Sequence, residues 1–246
     1  MEFNLIIKAL SAACFSFLLS CSGHTDNSAD AVGKPADTHQ AKEEHSRMYV
    51  MLEDSVESLQ RQLDDITANS GEVRNEFDAL LERFRIINDP LLVEPYRVPA
   101  GWENYDTTGR QGIMARVLEN GTVEIIVTAS SDFDTIKFSS NGQSEASKSV
   151  PSGNALHNTI GSLTRVAFNK AADLAKFVAE HISDPVILHC GSAKTFTLND
   201  KQKRMIADTY EFTRLYNKLN ELERRQSVIT NKLQFFQRRL DERNNK

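Results

Sequence analysis

From Leu52 onward, apolar residues recur at alternating steps of four and three: Leu52, Val56, Leu59, Leu63, Ile66, then Val73, Phe77, Leu80, Phe84 and Ile87. Ser70, beside Gly71, is the polar interruption. This spacing keeps one narrow stripe of a helix apolar and predicts a coiled-coil seam. Asp89-Pro90 is the predicted stop, because a residue before proline avoids the helical region. A second seam runs through Met205, Phe212, Leu215, Leu219, Leu222, Ile229, Leu233, Phe236 and Leu240, with Asp208 and Gln226 in the remaining places. Asn199 followed by Gln202 has the spacing of a capping box and predicts the start of this helix. Each seam runs 35 residue steps from its first to its last apolar position, roughly 52 Å of helix. Equal length predicts that the two pair with each other. Running out along one and back along the other makes the pair antiparallel, with Leu52 beside Leu240 and Ile87 beside Met205. The apolar area of a two-helix seam is small against the entropy of ordering two long backbones. The pair is therefore expected to need a clamp at one end, or a second copy.

Between the seams the pattern changes. Ile113–Leu118 and Val123–Thr128 are strand-like runs around Asn120-Gly121, a dipeptide that signals a two-residue hairpin turn. Further strands are predicted over Phe133–Phe138 and Thr164–Phe168. An amphipathic helix follows, with Leu174, Phe177, Val178 and Ile182 on its apolar face, Asn169 as its cap and Asp184-Pro185 as its end. Val186–Cys190 and Lys194–Leu198 read as a closing hairpin. Ser139–Thr159, rich in serine, asparagine and glycine, reads as a flexible surface loop. Antiparallel strands with one helix predict an α+β head with the helix packed on one sheet face. The expected fold class is thus α+β: a long antiparallel two-helix coiled-coil stalk with an inserted, mainly antiparallel β head. The expected boundaries are 46–89 for the first helix, 90–198 for the head and 199–246 for the second helix.

Composition changes this picture little. The chain has 246 residues, is 40% hydrophobic and 26% charged, and carries a net charge of −5. Basic residues are interleaved with acidic ones, which argues against a nucleic-acid partner, since that would favour a concentrated basic face. The arginine pairs Arg224-Arg225 and Arg238-Arg239 sit among acids and read as a solvated helix face.

The first twenty-three residues have a separate logic. Lys8 precedes an apolar stretch of about a dozen residues, the length of a signal peptide and short of the roughly 20 that a spanning helix needs. The stretch closes on Leu18-Leu19-Ser20-Cys21. These four residues resemble the lipobox of bacterial lipoproteins. The resemblance implies a signal peptide over 1–20, a diacylglyceryl group on the thiol of Cys21, cleavage before that cysteine and acylation, such as palmitate, of the new amino terminus. Two or more acyl chains make a stable anchor. Residues 21–45 then read as a lipidated cysteine and a disordered tether, because residues 22–44 hold no aromatic side chain and one valine and cannot bury enough apolar surface to fold. The implied localisation is the bacterial cell envelope, lipid-anchored to a membrane and either periplasmic or surface-exposed.

Two further likenesses concern the mature part. Periplasmic adaptor lipoproteins of efflux pumps also join a lipid anchor, a helical hairpin and β domains. In that family the hairpin is inserted in a β domain, whereas here the β head is inserted in the hairpin. The head also resembles uncharacterised bacterial envelope lipoproteins that carry a Gly112-Ile-Met-Ala-Arg-Val…Asn120-Gly121 hairpin and a Thr164-Arg-Val-Ala-Phe168 strand. That resemblance implies no activity.

No catalytic constellation emerges. Cys190 and His189 are adjacent, and neighbours on a strand point to opposite faces, so they do not pair as nucleophile and base. Cys190 reads as a buried small residue. The six histidines, His24, His39, His45, His157, His181 and His189, show no metal-ligand spacing, and neither a Gly-rich phosphate loop nor a Gly-x-Ser-x-Gly elbow is present. Tyr96, Trp102 and Tyr105 read either as packing at the joint of stalk and head or as an exposed glycan- or peptide-binding cluster. The expectation is a non-enzymatic lipoprotein, without cofactor or metal, with a structural or protein-interaction role, meeting an envelope protein partner or a second copy through the coiled coil. The alternative is a module that captures a small molecule, peptide or glycan through its head, for which a concave aromatic-lined pocket would speak.

Overall fold

The computed structural model describes residues 37–88, 94–104, 111–142, 144–149, 157–192 and 194–244. The expected signal peptide, Cys21, His24 and Tyr105 lie outside these residues, and no helix among the described residues is long and apolar enough to cross a membrane. The fold is mixed α+β, and the described residues form three helices and two antiparallel sheets.

Helix α1 covers Asp37–Leu81. It starts well before residue 46, inside the stretch expected to be a disordered tether. Residues 37–44 bring no apolar stripe, but they include Gln, Ala, Lys and Glu, which prolong a helix already nucleated downstream. It also ends early. Arg83 N donates to Leu80 O at 3.0 Å, and Phe84–Ile87 leave the helix as strand β1. The expected helix to residue 89 is therefore corrected. Phe84-Arg-Ile-Ile is aromatic and β-branched, a composition that favours strands, and it finds a partner in β2, Tyr96–Pro99.

Strands β3 (Gly112–Leu118) and β4 (Val123–Ala129) form the Asn-Gly hairpin. Its loop has three residues rather than two. Leu118 N donates to Thr122 O at 2.9 Å, and Gly121 N donates to Leu118 O at 2.9 Å. Gly121 holds a φ of +79°, while Asn120 is not among the residues of positive φ. The turn is thus a type I turn with a left-handed glycine bulge, and not the primed turn expected for Asn-Gly. Asn120 Oδ1 accepts from Thr122 N at 3.0 Å and stiffens it.

β5 (Thr135–Ser140), β6 (Ser144–Ser149), β7 (His157–Ile160) and β8 (Leu163–Asn169) follow. The expected surface loop over Ser139–Thr159 thus contains two strands. β6 and β7 are the outer strands of their sheets. An edge strand with few core contacts needs little hydrophobic alternation, which is why the sequence pattern does not reveal it. Helix α2 is Ala172–Glu180, with Ala171 as its N-cap and no side-chain cap. Asn169 instead ends β8, paired with Glu124, and Lys170 at φ +56° turns the chain. β9 (Val186–Cys190) and β10 (Lys194–Thr197) make the closing hairpin. Helix α3 spans Asp200–Asn244. Its start is the expected reciprocal box: Asn199 N donates to Gln202 Oε1 and Gln202 N donates to Asn199 Oδ1, both at 3.0 Å.

The strands divide into a six-stranded sheet ordered β1-β2-β3-β4-β8-β7 and a four-stranded sheet ordered β10-β9-β5-β6. Ile113, Ile125, Val127 and Phe168 of the first pack with Ile136, Phe138 and Leu188 of the second, and with Leu174 and Val178 of α2 and Met205 and Ile206 of α3. Burying this cluster is the main favourable term for the head. Lys203 of α3 is nearly fully buried yet well satisfied. Its ammonium donates to Ile182 O at 2.8 Å and to Asp184 O at 3.0 Å, tying the loop after α2 to the first turn of α3. The opposite face of the larger sheet carries a smaller cluster of Tyr96, Val98, Met114, Ile126 and Ala167. On that side Arg116 and Glu124, directly opposite each other across the hairpin, form a buried ion pair, and the Arg116 guanidinium sits 4.3 Å from the centre of the Tyr96 ring.

Candidate functional site: an aromatic cleft where helices meet sheet

Side chains of α1 and α3 touch along a line of contacts that descends one helix as it climbs the other. Gln226 Nε2 donates to Thr67 Oγ1 at 3.4 Å, Arg74 pairs with Glu223 at 2.5 Å, Phe77 meets Phe212 with ring centres 5.0 Å apart, and Arg83 pairs with Asp208 at 2.6 Å. Val73, Leu80, Leu215, Leu219 and Leu222 are buried between these polar markers. Phe84, although on a strand, keeps the inward place that its heptad spacing assigns, with its ring centre 4.9 Å from that of Phe212.

α3 is seated on the β3–β4 hairpin. Thr213 Oγ1 donates to Gly121 O at 2.8 Å. The Tyr216 ring lies over Gly121, where an added Cβ would stand 2.3 Å from Tyr216 Cδ1. Glycine is required here twice over, by the positive φ and by the close approach of the ring.

These contacts leave a cleft of about 220 Å³. Phe77 and Leu81 of α1 and Phe212 and Tyr216 of α3 line it from the helices, Tyr96 and Leu118 line it from the sheet, and Ile86, Pro95, Arg97 and Glu119 complete its rim. The rings are held by one another: Phe77 lies 6.2 Å from Tyr216, and Phe212 stacks on Tyr216 at 6.4 Å. The site is therefore largely preformed. Arg97 is half-buried and Glu119 exposed. Among the described residues neither makes an ion pair or a side-chain hydrogen bond.

Electrostatics at the joint follow from partial burial. Desolvation holds the Asp208 carboxyl above its ordinary range and outweighs the opposing pull of Arg83 and Arg204. Glu211 moves the other way, lowered by its hydrogen bond from Arg214.

The residues singled out from the sequence are scattered rather than gathered. Tyr96 is buried, is one of the residues that line the cleft, and packs its ring against Arg116 in the cluster on the other sheet face. Trp102 is half-buried against the core. Cys190 is fully buried, and burial pushes its thiol up to about 12. A thiol in that state is protonated and inert. His189 faces the other way and shares a 2.8 Å hydrogen bond with Ser139. The pair was missed because the sequence does not reveal the register that sets Lys137 opposite His189 and brings Ser139 diagonally beside it. Among the described residues no carboxylate hydrogen-bonds the second ring nitrogen of His189, so the third group that would orient a base is not built. The described residues contain no group of three His, Cys, Asp or Glu side chains placed to hold a metal ion. The cleft itself was not legible, since its walls come from both seams and its rim from β1 and β2.

No protein family, no curated protein and no solved structure matches this chain.

Proposed function

We propose that the protein is a lipid-anchored structural or interaction protein of the bacterial cell envelope, moored through acylated Cys21. Its α1–α3 pair acts as an antiparallel coiled-coil stalk that presents the α+β head to an envelope protein partner. The observation that carries this reading is the opposed run of cross-helix contacts, Thr67–Gln226, Arg74–Glu223, Phe77–Phe212 and Arg83–Asp208. The lipobox of the leader supports the mooring. The joint supplies the clamp that a marginal two-helix seam needs: Phe77, Phe212, Tyr216 and the Gly121 seat lock one end of the pair to the hairpin. The chemistry is that of a holder, without a proton-transfer or nucleophilic step.

The test is mass spectrometry of the mature amino terminus together with envelope fractionation. A diacylglyceryl group and acyl chain on Cys21, with the protein in the membrane pellet, is the expected result. An unmodified Cys21 thiol and a wholly soluble pool would contradict it.

A second reading, capture of a small molecule, is favoured by the cleft. Its concave, mostly apolar and aromatic lining with two charged groups at the rim is the composition typical of small-molecule sites.

A further inference from the structure

The cleft is below the roughly 300–1,000 Å³ of drug-sized sites, and suits an occupant of about one ring. Three aromatic walls, Phe77, Phe212 and Tyr216, offer a ring edge-to-face and stacked contacts. The charges at the rim then restrict the class. Arg97 pairs with Val117 across the strands, Glu119 is the first residue after β3, and both line the same cleft. Arg97 is partly buried and makes no ion pair among the described residues, and its planar fork matches a carboxylate. A plain carboxylate would meet repulsion from Glu119, and a plain amine would meet Arg97. A ligand carrying an ammonium and a carboxylate on one carbon satisfies the two together.

We infer that the joint cleft binds a free aromatic α-amino acid, with its ring among Phe77, Phe212 and Tyr216, its carboxylate on Arg97 and its ammonium on Glu119. This rests on the second reading above and names its substrate class. Occupancy would add contacts between α1, α3 and the sheet, so ligand would stiffen the joint that carries the stalk.

Isothermal titration calorimetry on the full chain in lipid nanodiscs, with L-phenylalanine, 3-phenylpropionate and phenethylamine as probes, tests it. L-phenylalanine is expected to bind at least about tenfold tighter than either single-charge analogue, the size expected from one charge-assisted contact. R97Q and E119Q should each weaken it by about tenfold or more, and Ile86→Trp, which fills the rim from an exposed position, should abolish it. Circular dichroism confirms that each variant is folded. Equal binding of 3-phenylpropionate and L-phenylalanine would overturn the amino-acid assignment while leaving a ligand cleft in place. Binding of none of the three probes at millimolar concentration would overturn both the assignment and the capture reading.

Discussion

The ring of Tyr216 rests on the backbone of Gly121, and through that contact a helix from the carboxyl end sits on the tip of a hairpin nearly a hundred residues earlier. A Cβ at position 121 would lie 2.3 Å from Tyr216 Cδ1, on a backbone at φ +79°. Strain at a positive φ and overpacking add. Gly121→Ala should therefore lower stability by about 2–4 kcal/mol, read by urea denaturation. Adding Tyr216→Ala should recover part of that loss, because the clash goes while the strain stays. Strictly additive losses would show that ring and glycine are not in contact.

The buried Arg116–Glu124 pair makes an opposite kind of prediction. Both side chains are at least nine-tenths buried, so removing one strands the other. Glu124→Gln should cost about 3–5 kcal/mol. Arg116→Met with Glu124→Leu should cost far less, because a matched apolar pair leaves no buried charge. A double variant as unstable as the single one would mean that the pair itself, with the Tyr96 ring against Arg116, supplies the stability.

Asp208 sets burial against an ion pair. Its carboxyl is raised from an ordinary 3.8 because desolvation exceeds the influence of Arg83. The folded state therefore keeps this proton to higher pH than the unfolded state does. Its contribution to stability is full below about 3.8 and is lost as pH rises through the folded value. Asparagine stands in for the protonated acid, so the unfolding free energy of wild type minus that of Asp208→Asn should fall as pH rises above about 3.8. A difference that grows with pH would mean that Arg83 prevails over burial.

How much of this was legible in the sequence varies with how local the cause is. The Asn199/Gln202 box and the two seams depend on near neighbours and helical period, and the structure has helices at both. The Asn120-Gly121 hairpin was legible as a hairpin but not as a bulged turn. The seat under Tyr216 is a long-range contact that selects the loop carrying glycine in the left-handed region. β1 was hidden because Phe84 and Ile87 continue a heptad spacing, and only pairing with β2 turns them into a strand. β6 and β7 were hidden as polar edge strands. The cleft was invisible for the same reason at larger scale: Phe77, Tyr96, Arg97 and Tyr216 come together only once both helices and the sheet are in place.

A stalk requires α1 and α3 to stay side by side beyond the Thr67–Gln226 contact, out to the end away from the head. Ser58 and Gln234 are exposed and stand level with each other if the run of contacts continues. Spin labels on Ser58→Cys and Gln234→Cys, measured by double electron–electron resonance, read that separation directly. The account predicts a single narrow distance, set by packed helix axes about 8–10 Å apart plus the label arms. A broad distribution, or a distance that places the two helices apart at this level, would contradict it.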